Sequence, residues 1–263
     1  MSTGVHQGRA ARAVAAGALA AAVLAGCSGP SAPAGPPASS APASSAAQGG
    51  AAGTAIPSAT SGGGGCPADG GGVPAGAGSA PTADLDRDGE PDVLWLSDAG
   101  GQRTLGVTTA SGATFSTTFE SAAPQAARAL GQRLGGSDPG VVLLDTGRSV
   151  QLYTTAGCAL APTTDERGRP WSFDLGFTGY GTGVGCADLG QGLQLVGLLA
   201  EDDGEGTSTV TRTPIELTDD GRTARGGAAA VVVERARNDD PVVEQARSVS
   251  CGDQAEGAGE PQP

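Results

Sequence analysis

Apolar and polar positions alternate over short distances from Thr82 onward, and the apolar runs have strand length rather than helix length. Asp92 to Ser97, Arg103 to Ala110 and Ala113 to Phe119 predict a three-stranded meander. Ser111-Gly112 suits the two-residue connection of a hairpin, and Ala99-Gly100-Gly101 a looser one. No window between Thr82 and Cys251 sustains a helical period. Ala122 to Leu130 has some helical propensity, but Pro124 and the flanking runs assign it to a strand.

The pattern then repeats. Asp92-Val93-Leu94-Trp95-Leu96 aligns with Gly140-Val141-Val142-Leu143-Leu144 and with Gln194-Leu195-Val196-Gly197-Leu198, at offsets of 48 and 54 residues. Each copy leads through a turn into a second strand: Thr104 to Thr109, Ser149 to Thr155 and Ser208 to Pro214. A spacing of this size is that of a repeated sheet of a few strands.

One stretch carries chemistry. Asp84, Asp86, Asp88 and Asp92 occupy positions 1, 3, 5 and 9 of a loop, with Gly89 at position 6. Alternate carboxylates plus the Glu90 carbonyl at position 7 supply the oxygen cage that Ca²⁺ takes. Four carboxylates within nine residues repel one another, which favours a bound cation over a simple turn. An EF-hand requires Glu at position 12 and a helix beyond it. Here position 12 is Trp95, inside a strand, so that reading fails.

The sequence Asp84-x-Asp86-x-Asp88-Gly89-x-x-Asp92, followed by an apolar strand, resembles the calcium loop of FG-GAP/VCBS repeats, the blades of integrin-type β-propellers. Gly-rich Phe177 to Leu189 is similar to the strand that precedes such a loop. The resemblance implies an all-β fold. About 170 residues at this period hold some three degenerate blades, too few for a seven-bladed ring. The expectation is therefore a small or incomplete β-propeller-like array, with a stack of blades as a twisted β-sandwich as the alternative. The resemblance assigns Asp84, Asp86, Asp88, Glu90 and Asp92 as ligands of one structural Ca²⁺. The other two loops depart from the pattern. Asp188 is followed by Gly190, Gly192 and Gln194 in a loop two residues short, and the second loop retains only Asp138.

The N-terminus predicts export. Arg9 and Arg12 precede an apolar run from Ala13 to Gly26, shorter than the ~20 residues of a membrane span. Leu24-Ala25-Gly26-Cys27 resembles the bacterial lipobox, in which the cysteine is diacylated and becomes the new N-terminus. Two acyl chains anchor stably. Residues 1–26 are thus read as a signal peptide and 27–80 as an Ala/Gly/Pro/Ser-rich disordered tether. Residues 81–252 form the β domain and 253–263 a disordered tail. The 38 residues between Cys27 and Cys66 have a coil span of about 35 Å.

Composition narrows the function. All 15 basic residues are Arg, and His6, the only histidine, lies in the predicted signal. Beyond residue 26 the chain carries 13 Arg against 28 Asp and Glu, a formal −15. That charge repels nucleic acid. Without His or Lys, neither a Ser-His-Asp nor a Cys-His arrangement nor a Lys nucleophile can be built. Carboxylate pairs remain, with Glu201-Asp202-Asp203-Gly204-Glu205 the densest cluster, but its place between two apolar runs predicts a solvated turn. Asp219-Asp220-Gly221 and Asn238-Asp239-Asp240-Pro241 read the same way. Trp171, Phe173, Phe177 and Tyr180 are expected between blades.

Four cysteines besides Cys27 suit an oxidising compartment. Cys66 and Cys251 bracket the folded region, so the expected bridges are Cys66–Cys251 and Cys158–Cys186, each contributing ~3–5 kcal/mol. Two function classes follow. The first is a membrane-anchored surface lipoprotein whose β domain binds an extracellular protein or glycan. The second is an exported carboxylate-dependent hydrolase of cell-wall or extracellular glycans.

Overall fold

The three aligned segments occupy equivalent places: each is the second strand of its own antiparallel sheet. The computed structural model describes residues 64–135, 140–176, 181–254 and 256–261. The first sheet is a plain meander of β1 (Gly78–Pro81), β2 (Val93–Ala99), β3 (Gln102–Thr108) and β4 (Thr114–Thr118). In the second, β5 (Arg128–Arg133), β6 (Gly140–Asp145) and β7 (Ser149–Thr154) pair in succession. The short β8 (Ala161–Pro162) and β9 (Ser172–Asp174) share the far edge of β7.

The third sheet runs β10 (Thr182–Asp188), β11 (Leu193–Asp202) and β12 (Thr207–Thr218). The long β12 then pairs with β13 (Thr223–Gly226) at one end and β14 (Ala230–Arg237) at the other. The protein is all-β, and none of the three sheets closes on itself.

Side-chain alternation explains the packing order. On β6, Val142 and Leu144 point to one face and join Leu94, Leu96, Leu105 and Val107 of the first sheet in one core. Val141 and Leu143 point to the other and join Val184, Leu195 and Ile215 of the third. The middle sheet is therefore covered on both faces, which is why β6 reads as an unbroken apolar run. Trp95 points away from Leu94 and Leu96 and lies across its cross-strand partner Gly106, where an added Cβ would stand 2.0 Å from the indole. Its indole N–H donates to Thr108 Oγ1 at 3.2 Å.

Several expectations are corrected. The tether is expected to run to residue 80, yet β1 begins inside it, at Gly78. Gly-Ser-Ala-Pro has little strand propensity, but its backbone pairs with β2 from Val93 to Leu96. The C-terminal tail was expected to be disordered, yet β15 (Ala258–Gly259) pairs with Arg128 and Ala129 of β5. Beyond it, Glu260 is buried against Arg103 and the Ala127 amide. The strand read at Ala122 to Leu130 begins only at Arg128. A six-residue helix, α1 (Pro241–Ala246), was not predicted. Its local signal was present, with Asp240 as N-cap accepting from the Val242 amide and Pro241 opening the first turn.

The disulfide pairing is also corrected, to Cys66–Cys158 and Cys186–Cys251. After α1 the chain runs parallel to β10, with Val249 bridged to Val184. Two residues further on, Cys251 faces Cys186 at a Cα–Cα distance of 4.5 Å. Cys66 instead lies against the turn after β7, 5.6 Å from the Cα of Cys158. The four cysteines are paired as expected of an oxidised domain; the ends of the array are not tied to each other.

Among the described residues no helix is long and apolar enough to cross a membrane. Cys27, Asp138, Phe177 and Tyr180 lie outside the described residues. Trp171 and Phe173 pack edge to face, ring centroids 6.1 Å apart, between the second and third sheets as anticipated.

Candidate metal centre

The acidic loop is the β1–β2 connection, entered at Pro81 and left at Val93. Its ends are pinned first. The Thr82 amide donates to the Asp92 carbonyl at 2.9 Å. Asp92 is buried, and its two carboxylate oxygens accept from the Leu85 amide at 2.7 Å and the Ala110 amide at 3.1 Å. Burial pushes the Asp92 carboxyl up to about 6, while these amides pull it back and the charges of Asp86 and Asp88 add to the rise. Asp92 thus braces the loop against the turn that follows β3.

Within this frame the backbone folds around the remaining carboxylates. Asp84 accepts from the amides of Arg87 at 2.6 Å and Gly89 at 3.2 Å. Asp86 accepts from its neighbour Asp88 at 3.2 Å, and Asp88 from Glu90 at 2.8 Å. Gly89, at φ 98°, takes the left-handed turn for which its position was singled out. Ligand oxygens of Asp84, Asp86 and Asp88 converge within 4.8 Å of one another, all three side chains half-buried. Glu90 is exposed, and Asp92 stands outside the three-carboxylate group. Three carboxylates so placed offer hard oxygen donors on one side of a loop, a donor set that fits Ca²⁺ with further ligands from backbone and water.

The loop sits on a seam. Leu85 is buried in the core shared by the first and second sheets. Its carbonyl accepts from Thr155 Oγ1 at 3.0 Å, and Thr82 Oγ1 donates to the Gly131 carbonyl at 2.9 Å. Gly140 leaves room for this contact, since a Cβ there would stand 3.0 Å from both Leu85 Cδ2 and the Leu85 carbonyl oxygen. Arg133 of β5 reaches Asp84 at 3.4 Å. On the outer side, the Cys66 amide donates to Asp86 Oδ2 at 2.8 Å, and Ser111 Oγ touches the same oxygen at 3.3 Å. Local spacing pointed to the carboxylates; nothing local pointed to Cys66, Ser111 or Arg133 as their neighbours.

The third copy carries a reduced version. At the β10–β11 turn, Asp188 Oδ1 accepts from the amides of Gly190 at 2.8 Å and Gly192 at 3.2 Å. The second copy's Asp138 is outside the described residues. The Glu201–Glu205 cluster is exposed: Glu201 and Asp202 end β11, and Asp203 to Glu205 lie in the turn to β12, closed by the Asp203 amide on the Thr207 carbonyl at 2.9 Å. Asp219 and Asp220, at φ 54° and 56°, turn β12 into β13. Asp239 and Asp240 lead into α1.

No protein-family model, no curated protein and no solved structure matches this chain.

Proposed function

We propose that the chain is a membrane-anchored surface lipoprotein, held through an acylated Cys27, that displays a calcium-stabilised β domain of blade-like sheets as a binding or adhesion module for an extracellular protein or glycan. The observation that carries this reading is the convergence of Asp84, Asp86 and Asp88 at the β1–β2 turn. That turn is the entry to the second strand of a sheet, the place the FG-GAP/VCBS resemblance assigns to the ion. The three equivalent meanders support the blade-like description, and the two disulfides suit an exported protein. The ion's role is structural: it neutralises the carboxylates and stiffens the β1–β2 loop where it packs against the second sheet. The hydrolase alternative depends on Glu201 to Glu205, and no observation favours it, since that cluster is an exposed strand end and turn.

The test has two arms. Calcium titration followed by calorimetry should give one ion per chain and added stability of ~2.7 kcal/mol at a hundredfold excess over the dissociation constant. Asp88→Ala should abolish that gain and Asp188→Ala should not. Metabolic fatty-acid labelling should mark the wild type and not Cys27→Ser, which should leave the membrane fraction or persist as precursor. No calcium-dependent stabilisation would remove the metal reading, and label surviving in Cys27→Ser would remove the anchor.

A further inference from the structure

The two disulfides differ in what surrounds them. Cys186 is half-buried and Cys251 buried, both against the core between the second and third sheets. Cys66 is buried too, but Cys158 is exposed on the turn after β7. The Cys66–Cys158 bridge lines an open cleft of about 250 Å³ together with Leu85, Asp86, Arg87 and Asp220. Cys158 also holds a left-handed backbone, φ 59°, directly after Gly157 at φ 73°. A side chain with a β-carbon adopts that conformation at a cost, and something must hold it there. The bridge to Cys66 does so.

We propose that Cys66–Cys158 is a thiol–disulfide exchange site that an external dithiol opens while the body stays folded and Cys186–Cys251 stays closed. A thiolate of the dithiol attacks Cys158 Sγ from the cleft, the Cys66–Cys158 bond breaks, and Cys66 leaves as thiolate. The second thiol of the reductant attacks the mixed disulfide, forming the reductant's own disulfide and releasing Cys158. Two electrons pass to the protein, and the two cysteine thiolates take up the two protons that the dithiol gives up.

The contacts across the seam explain why the fold survives. Opening the bridge leaves the Thr155–Leu85 and Thr82–Gly131 hydrogen bonds, the shared core and the β15–β5 pairing in place. The Cys66 segment stays docked as well. Ser111 Oγ donates to the Cys66 carbonyl at 2.7 Å, and the Asp69 amide to the Gly112 carbonyl at 3.2 Å. The two thiols therefore remain close, and exchange with a small-molecule disulfide, which is reduced to its thiols as it takes the two electrons, re-forms the bridge. What reduction changes is the tie between the segment around residue 66 and the second sheet.

The experiment treats the full chain with dithiothreitol without denaturant, quenches with iodoacetamide at intervals, and maps the labelled cysteines after cleavage at arginine. Cys66 and Cys158 should be alkylated about tenfold faster than Cys186 and Cys251. The near-ultraviolet circular dichroism should be kept, and in an unquenched sample replacing the reductant with oxidised dithiothreitol or oxidised glutathione should restore the same pair. Equal rates, the opposite order, no alkylation before denaturant, or loss of the dichroism in step with alkylation would each overturn the proposal.

Discussion

Glu260 is the most informative residue to perturb, because it secures a C-terminal segment expected to be free. Its side chain is 5% exposed and accepts from Arg103 Nε at 2.6 Å and from the Ala127 amide at 2.6 Å, with Arg103 Nη2 as a third donor. Arg103 in turn lies over the Phe119 ring, 4.8 Å from its centroid. Glu260→Gln keeps the shape but removes the charge and one acceptor, so an amide N–H faces either the guanidinium or the Ala127 N–H. Breaking one partner of a buried pair costs ~3–5 kcal/mol. Arg103 keeps some water contact, its side chain 16% exposed, which places this case near the lower end. In a domain of this size ~3 kcal/mol corresponds to a fall in Tm of about 6–12 °C.

The pH dependence gives a second, independent readout. Burial pushes the Glu260 carboxyl up, but Arg103 and the Ala127 amide outweigh it and hold the group below its ordinary value of 4.5. A carboxyl depressed on folding stabilises above its unfolded pKa, and that contribution is lost as pH falls through the folded value. The gap between wild type and Glu260→Gln should therefore be full at neutral pH and close in acid. Scanning calorimetry at a series of pH values measures both. A Glu260→Gln variant melting with the wild type at pH 7, or a gap that persists undiminished in strong acid, would refute this account of the clasp.

Two further substitutions test the sheet packing. Gly106→Ala should destabilise by ~1–3 kcal/mol in urea unfolding, because its methyl group would overlap the Trp95 ring, and Trp95 fluorescence should report a displaced indole. Asp92→Ala should cost more than Asp88→Ala in calcium-free buffer, since it strands the Leu85 and Ala110 amides at ~1–3 kcal/mol each, whereas Asp88 accepts only from an exposed amide.

Much of this protein was legible because the signals are local. The apolar runs at β2, β6 and β11 and the turns that follow them depend on residues within a few positions of one another, and the alignment of the three copies found the same strand in each sheet. The acidic loop was legible for the same reason: side chains at alternate positions of a tight turn converge whatever surrounds them. Tertiary structure decided the rest. Gly78–Pro81 and Ala258–Gly259 carry no strand signal and become strands only because neighbouring backbones are there to pair with. Spacing places Asp92 in the acidic loop, but that it also accepts from the Ala110 amide, bracing the loop, is set by the β2–β3 hairpin. The disulfide partners were beyond reach for the same physical reason. Which cysteine meets which depends on α1 returning the chain beside β10 and on the first sheet stacking on the second, and neither event is written within the few residues around a cysteine.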